Sequence, residues 1–254
     1  MSPFRFPLLF NSFLFCLCII QAKAQKNTAH QGLFWYGIFT TVDINKNWYF
    51  QNEIQERHFV APKLAQHQFI IRSHIHHKLG NNGWEISAGA CLFFHNPNNP
   101  SQQNRLSVPE IRPHIETAFN HVWHKIAFDH RFRAEMRFFH QTNSDRSALE
   151  DGFMFTNYRF RYKLQASFPL VSLNKTQNLK LKLSNEIHLN ADSRTGLSFF
   201  DQNRIYAGLN WGVHPLASIE IGYLKWYQQS ANQQYFDRDI LRCTLYHKIP
   251  RKKS

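Results

Sequence analysis

Residues 130–139 read HRFRAEMRFF. Arg131, Arg133, Glu135 and Arg137 alternate with Phe132, Ala134, Met136 and Phe138. A period of two is the side-chain repeat of an extended strand. One face of this strand is ionic and the other apolar, so the ionic face must meet water or compensating charge. Three arrangements satisfy that demand. They are a soluble sheet with one wet face, a nucleic-acid groove with an arginine stripe, and a membrane barrel with its charges turned inward.

The pattern recurs along the chain. WYFQNEIQERHF (48–59) puts Tyr49, Gln51, Glu53, Gln55 and Arg57 on one face. QFIIRSHIHHKL (68–79) sets Arg72, His74, His76 and Lys78 against Phe69, Ile71, Ile75 and Leu79. NYRFRYKLQASF (157–168) sets Arg159, Arg161, Lys163 and Gln165 against Tyr158, Phe160, Tyr162 and Leu164. LKLKLSNEIHLN (179–190) aligns Lys180, Lys182, Ser184, Glu186 and His188. With 34–42, 84–94, 111–119, 201–213, 218–229 and 239–249, this makes about eleven strand candidates and no amphipathic helix. No linker or composition break divides them, so one domain is expected.

The connections alternate in length. INKN, GNNG, NHVWH, the stretch near 171–178 and VHPLA are short. Those near 60–66, 95–106, 140–152, 191–200 and 229–237 are longer. Short turns on one rim and long loops on the other are the build of an outer-membrane barrel. Two features resist it. Eleven is odd, where single-chain bacterial barrels have even counts, so a missed or split strand is expected. Pro113 falls mid-strand, where it removes a ladder hydrogen bond, so a bulge or a later strand start is expected there.

The N-terminus points to export. FPLLFNSFLFCLCII (6–20) is an apolar run behind Arg5, and Ala22-Lys23-Ala24 fits a cleavage site. The division expected is a signal peptide over 1–24 and a barrel domain over 25–254. Cys91 and Cys243 read as two lone thiols rather than a disulfide framework. The formal net charge of +13 suggests anionic surroundings: lipopolysaccharide, outer-membrane lipid or a small anionic solute. Export argues against nucleic acid.

Energetics choose the orientation of a barrel. A Lys or Arg facing lipid near the midplane costs about 2–4 kcal/mol. Arg131, Arg133 and Arg137 together would then approach the whole stability of a domain. The expected fold is therefore a single antiparallel up-and-down transmembrane β-barrel of about 10–12 strands, with a charged lumen and an apolar, aromatic exterior. The expected lumen network is Glu53, Arg57, Arg72, Arg131, Arg133, Glu135, Arg137, Arg159, Arg161, Lys163, Lys182, Glu186, Arg204 and Glu220. Tyr36, Trp48, Trp84, Trp211, Tyr223 and Tyr246 are expected at the membrane interfaces.

Several stretches resemble one family in order: WYGIFTTVDINKNWYFQNEIQER (35–57), PHIETAFNHVWHKIAFDHRFRAEMRF (113–138), NEIHLN (185–190), FDQNRIYAGL (200–209) and EIGYLKW (220–226). HRFRAEMRF and FDQNR are the most specific of them. The resemblance is to the domain of unknown function 2490 family of predicted Gram-negative outer-membrane barrels. It spans nearly all of the chain after the leader and implies a barrel in the outer membrane. It implies no activity. The histidine-rich stretch 67–77 is not part of the resemblance.

No motif requires a cofactor. There is no phosphate-binding glycine loop, no cysteine-rich zinc motif and no G-x-S-x-G. His74 and His76 share a strand face and could ligate a metal with a third ligand. Ser87, Ser184 and Ser198 could act with histidines elsewhere. Three functions follow: an outer-membrane barrel in a structural or small-anion pore or binding role, an outer-membrane enzyme acting on lipid or glycan, and a soluble periplasmic β-sheet binding protein. No catalytic motif favours the enzyme.

Overall fold

The computed structural model describes residues 27–172, 177–191, 198–230 and 234–251. The expected signal peptide, 1–24, lies outside the described residues. Alternating sequence becomes strand throughout: β1 (Thr28–Asp43), β2 (Trp48–Ala61), β3 (Ala65–Lys78), β4 (Trp84–His95), β5 (Val108–Trp123), β6 (Ile126–Thr142), β7 (Leu149–Ser172), β8 (Asn178–Ala191), β9 (Phe200–His214), β10 (Ala217–Gln229) and β11 (Tyr235–Ile249). Each strand pairs with the next, and β1 pairs with β11 to close a barrel.

The eleven strands correct the expectation of an even count: no strand is missing or split among the described residues. They also correct the expectation of a wholly antiparallel sheet. In an up-and-down barrel with an odd count, the first and last strands run the same way. The closing pair is accordingly parallel, in unbroken register from Thr28 opposite Tyr235 to Val42 opposite Ile249.

The chain enters at one rim, the first, and β11 ends at the other, the second. Second-rim connections are 44–47, 79–83, 124–125, 173–177 and 215–216. First-rim connections are 62–64, 96–107, 143–148, 192–199 and 230–234. The length alternation is thus only partial: the β2–β3 connection, expected to be long, has three residues, and the β10–β11 connection has five, no more than 79–83 or 173–177. Pairing also runs closer to the β5–β6 turn than expected. Trp123 opposes Ile126, which leaves a two-residue turn in which His124 adopts a left-handed φ of 54°.

Pro113 needs neither a bulge nor a later start. It faces outward, opposite Ala90 of β4, and the β5–β6 ladder lacks pairs at Arg112 and Pro113 while its register continues from Ile111 to His114. A missing N–H interrupts hydrogen bonding without moving the strand.

Outward positions form lateral apolar rows. Ile54, Ile71, Leu92, Ile111, Phe138 and Phe155 are successive cross-strand neighbours from β2 to β7. A second row runs Phe50, Ile75, Ala88, Ile115, Ala134, Phe160 and Leu189. Outward polar side chains often satisfy one another, as Asn52 with Ser73 at 2.9 Å and Asn185 with Asn203 at 3.2 Å. Tyr36, Trp48, Trp84, Trp211 and Tyr223 are exposed on the exterior. Tyr246 corrects the expected set of interface aromatics: it faces inward, where its hydroxyl accepts from Arg242 Nη2 at 3.1 Å.

Inside, the barrel is not charged throughout. Leu33, Trp35, Phe59, Tyr206, Leu224, Trp226 and Ile240 form a buried apolar cluster within the wall. Ile70, Cys91 and Phe93 form a smaller one. Cys91 and Cys243 are free thiols. No helix among the described residues is long and apolar enough to cross a membrane, which says nothing of crossing by strands.

Candidate functional site

The period of two sends every second side chain of each strand into a common interior, where charges from different strands meet. Glu53 of β2 pairs with Arg72 of β3 at 2.5 Å. Glu116 of β5 accepts from Arg133 Nε at 2.6 Å. Glu135 of β6 binds two arginines of β7: Arg159 donates through Nε at 2.8 Å and through Nη2, and Arg161 through Nη1 at 2.7 Å. Arg161 and Arg131 both reach Glu186 of β8, at 2.7 and 2.8 Å. Arg137 donates to Glu110 at 2.6 Å. Lys182 and Arg242 converge on Glu220 at 2.6 and 2.8 Å. Lys163 donates to Gln165 at 2.9 Å and forms no ion pair within 4.0 Å among the described residues. These carboxylates are held almost fully out of solvent, with Glu110 at 0%, Glu53 and Glu220 at 2% and Glu135 at 3% exposure. Buried charge at this density persists only when paired and hydrogen-bonded.

The network has members beyond those picked from the sequence: Glu110, Arg112, Glu116, Asp201 and Arg242. The PEIRPHIET stretch carries the same alternation as 130–139, at Glu110, Arg112, His114 and Glu116. Pro113 obscured it.

A histidine cluster lies toward the second rim. Gly89 of β4 stands between His74 of β3 and His114 of β5. A Cβ there would meet the Ser73 carbonyl oxygen at 2.1 Å. With no side chain between them, the rings meet, Nδ1 of His74 at 3.3 Å from Nε2 of His114. His76 Nδ1 lies 2.7 Å from Glu85 Oε1, which also accepts from the Tyr49 hydroxyl at 2.5 Å. The Tyr49 ring stacks on His76 at 4.4 Å. Ser87 is the cross-strand neighbour of His76, and His76 Nε2 and Ser87 Oγ are both buried without a hydrogen-bond partner. No group of three or more His, Cys, Asp or Glu among the described residues is placed to hold a metal ion. The nitrogens through which His74 and His76 meet His114 and Glu85 are already engaged.

The third feature is built on the tryptophans of the apolar cluster. Trp35 and Trp226 meet edge to face, 5.5 Å between ring centres. The Arg57 guanidinium lies 3.8 Å over Trp35, Arg238 lies 4.2 Å over Trp226, and Arg204 lies 5.5 and 4.8 Å from the two rings. Register explains the grouping: Arg57 opposes Trp35, while Trp226 has Arg204 on one side and Arg238 on the other. Such stacking on a ring face is worth about 2 kcal/mol when desolvated. Of these residues, the charge pattern had singled out Arg57 and Arg204. Trp35, Trp226 and Arg238 were not read as interior site residues, because a single Trp on a strand carries no sign of the face it takes.

A family model described as a protein of unknown function, DUF2490, matches residues 32–237. The chain belongs to this family. The match starts one residue before Leu33 of β1 and ends one residue before Arg238 of β11, so it takes in nearly the whole barrel wall. No curated protein matches the chain.

Proposed function

We propose that this member of the DUF2490 family is an outer-membrane β-barrel whose interior is a closed receptacle for a small anionic solute. The observation that carries the membrane reading is inverted polarity: ion pairs inside, and apolar rows of Ile, Leu and Phe outside. A soluble sheet would turn the charged face to water. Outer-membrane lipid fits the apolar band, and Trp48, Trp84 and Trp211 are outward aromatics of the kind that sit at headgroup level. The packed apolar cluster and the buried ion pairs favour a receptacle over an open channel.

Alkaline carbonate extraction of cell envelopes tests location. The full chain is expected in the pellet, and release into the wash would favour the soluble periplasmic protein instead. Planar-bilayer recording tests closure: the purified barrel is expected to give no stepwise conductance, and steady channel events would replace the receptacle by a pore.

A second reading, an enzyme acting on lipid or glycan, draws support from Glu85, His76 and Ser87. An acid oriented on one imidazole nitrogen, with the other nitrogen free beside a serine, is the order of a hydrolytic triad. Hydrolysis of a lipid or glycan ester that disappears in Ser87→Ala would establish it. Equal turnover by the variant would remove it.

A further inference from the structure

The interior contains two kinds of arginine. Those of the ion network each have a carboxylate within hydrogen-bonding distance. The three around the paired tryptophans do not. Arg57 donates to the amide oxygens of Gln55, at 2.6 and 3.0 Å, and of Gln68 at 2.8 Å. Arg238 donates to Gln31 at 2.7 Å, Gln228 at 2.6 Å and Asn98 at 2.9 Å. Neither has a carboxylate within 4.0 Å among the described residues, and Arg204 comes within that range only of Glu186, at 4.0 Å. Amide oxygens satisfy N–H groups but supply no charge. Two buried cations, Arg57 and Arg238, and the half-buried Arg204 therefore stand together with their charge largely uncompensated, which a low-dielectric interior penalises heavily.

Three donors without acceptors also meet at this place. Trp35 Nε1, Trp226 Nε1 and Arg204 Nε are all buried with no hydrogen-bond partner. Trp35 and Trp226 are 2% and 3% exposed. Leaving a buried donor unpaired costs about 1–3 kcal/mol each, and native interiors rarely tolerate several in contact. An acceptor carrying negative charge answers both deficits.

An exposed loop residue reaches this cluster from the first rim. The connection 96–107 folds over the first rim, and Asn98 at its start is solvent-exposed while its side chain reaches the cluster. Asn98 Oδ1 accepts from Arg238 Nη2 and lies 3.3 Å from His67 Nε2, and its backbone oxygen accepts from Gln31 Nε2 at 2.7 Å. A neutral amide oxygen thus occupies the acceptor position over a fully buried guanidinium.

We infer that Arg57, Arg204 and Arg238, with the indole N–H groups of Trp35 and Trp226, form an oxyanion-binding site entered from the first rim, over which Asn98 lies as an exchangeable cap. The ligand class is a small carboxylate or phosphate, bound by displacing the Asn98 amide. This rests on the receptacle reading and names its location.

The test uses the full barrel in detergent at low salt, with inorganic phosphate and acetate as probes and chloride as the control. Binding is read by the rise in unfolding midpoint and by tryptophan fluorescence. Phosphate or acetate is expected to stabilise the wild type. Arg204→Gln is expected to weaken binding at least tenfold while raising the ligand-free midpoint, because it removes an uncompensated charge. A merely structural arginine would lower that midpoint. Lys163→Gln, in the ion network half, is expected to bind as the wild type does. Asn98→Asp changes an exposed loop residue and leaves the wall intact. Its carboxylate is expected to raise the midpoint and abolish the probe response.

If binding survives Arg204→Gln and Asn98→Asp but is lost in Lys163→Gln, this site is wrong and the anionic receptacle stands elsewhere in the barrel. If neither probe affects the wild type, the site and the anionic receptacle both fall, while carbonate extraction still judges the membrane barrel separately. If only phosphate on lipopolysaccharide vesicles binds, and free phosphate does not, the ligand is a lipid headgroup and the buried site is overturned.

Discussion

At the scale of single residues, the interior works by convergence. Glu135 serves Arg159 and Arg161 at once and lies 3.7 Å from Arg133. Replacing it by Gln keeps the shape but leaves arginines without their counter-charge. Glu135→Gln is expected to cost about 3–5 kcal/mol, the scale for breaking a buried pair from one side, measured by urea unfolding in detergent micelles. A loss under 1 kcal/mol would mean that water reaches these groups and screens them. The parity of each charge was legible in the sequence, because strand geometry leaves no other option. The partner of each charge was not. Arg137 could have met Glu135, its neighbour on the same face, yet it binds Glu110 on β5, 27 residues away. Barrel curvature and long side chains decide such pairings.

At the scale of strands, the face assignment has an asymmetric consequence. Phe160 lies outward in a row with Ala134 and Leu189, while the neighbouring Arg161 lies inward. In a lipid bilayer, Phe160→Arg is expected to destabilise by about 2–4 kcal/mol, and far less in a soluble protein, where Phe160 would already face water. Comparing unfolding in phospholipid vesicles with unfolding in a water-soluble polymer belt reads the difference. Equal small costs in both would remove the lipid-facing assignment. Strand existence was readable from alternation alone, but strand ends were less so. Trp123 and Ile126 extend the β5–β6 hairpin through residues that read as a turn, because cross-strand pairing stabilises positions whose local signal is weak. At Pro113 the sequence signalled a distortion that the fold absorbs with a missing hydrogen bond on one side.

At the scale of the whole molecule, closure is the feature that local signals do not carry. An open eleven-strand sheet would leave β1 and β11 as unpaired edges, which templates association with other chains. Parallel pairing of the ends removes both. Ile38 and Leu245 are register partners across this seam. In a Cys243→Ser background, Ile38→Cys with Leu245→Cys is expected to form an intramolecular disulfide under mild oxidation. Moving the second cysteine to Ile249, four residues along, is expected to abolish it. Cross-linking at both positions would mean a loose seam, and at neither an open barrel. An odd count conflicts only with a ladder that is antiparallel all the way round. One parallel pair resolves it.

By itself the sequence determined where strands lie, which face the alternating charges of each strand share and the energetic reason for those charges to point inward. These follow from a side-chain period of two and from the cost of burying unpaired charge, both of which act locally. The tertiary structure alone decided the parallel closure, the partners within the ion network and the meeting of Trp35 and Arg57 with Arg204, Trp226 and Arg238. Those groups lie on the first two strands and the last three, so only closing the barrel brings them together. HRFRAEMRFF could declare that its arginines face inward, but not that some other interior arginines would lack carboxylates.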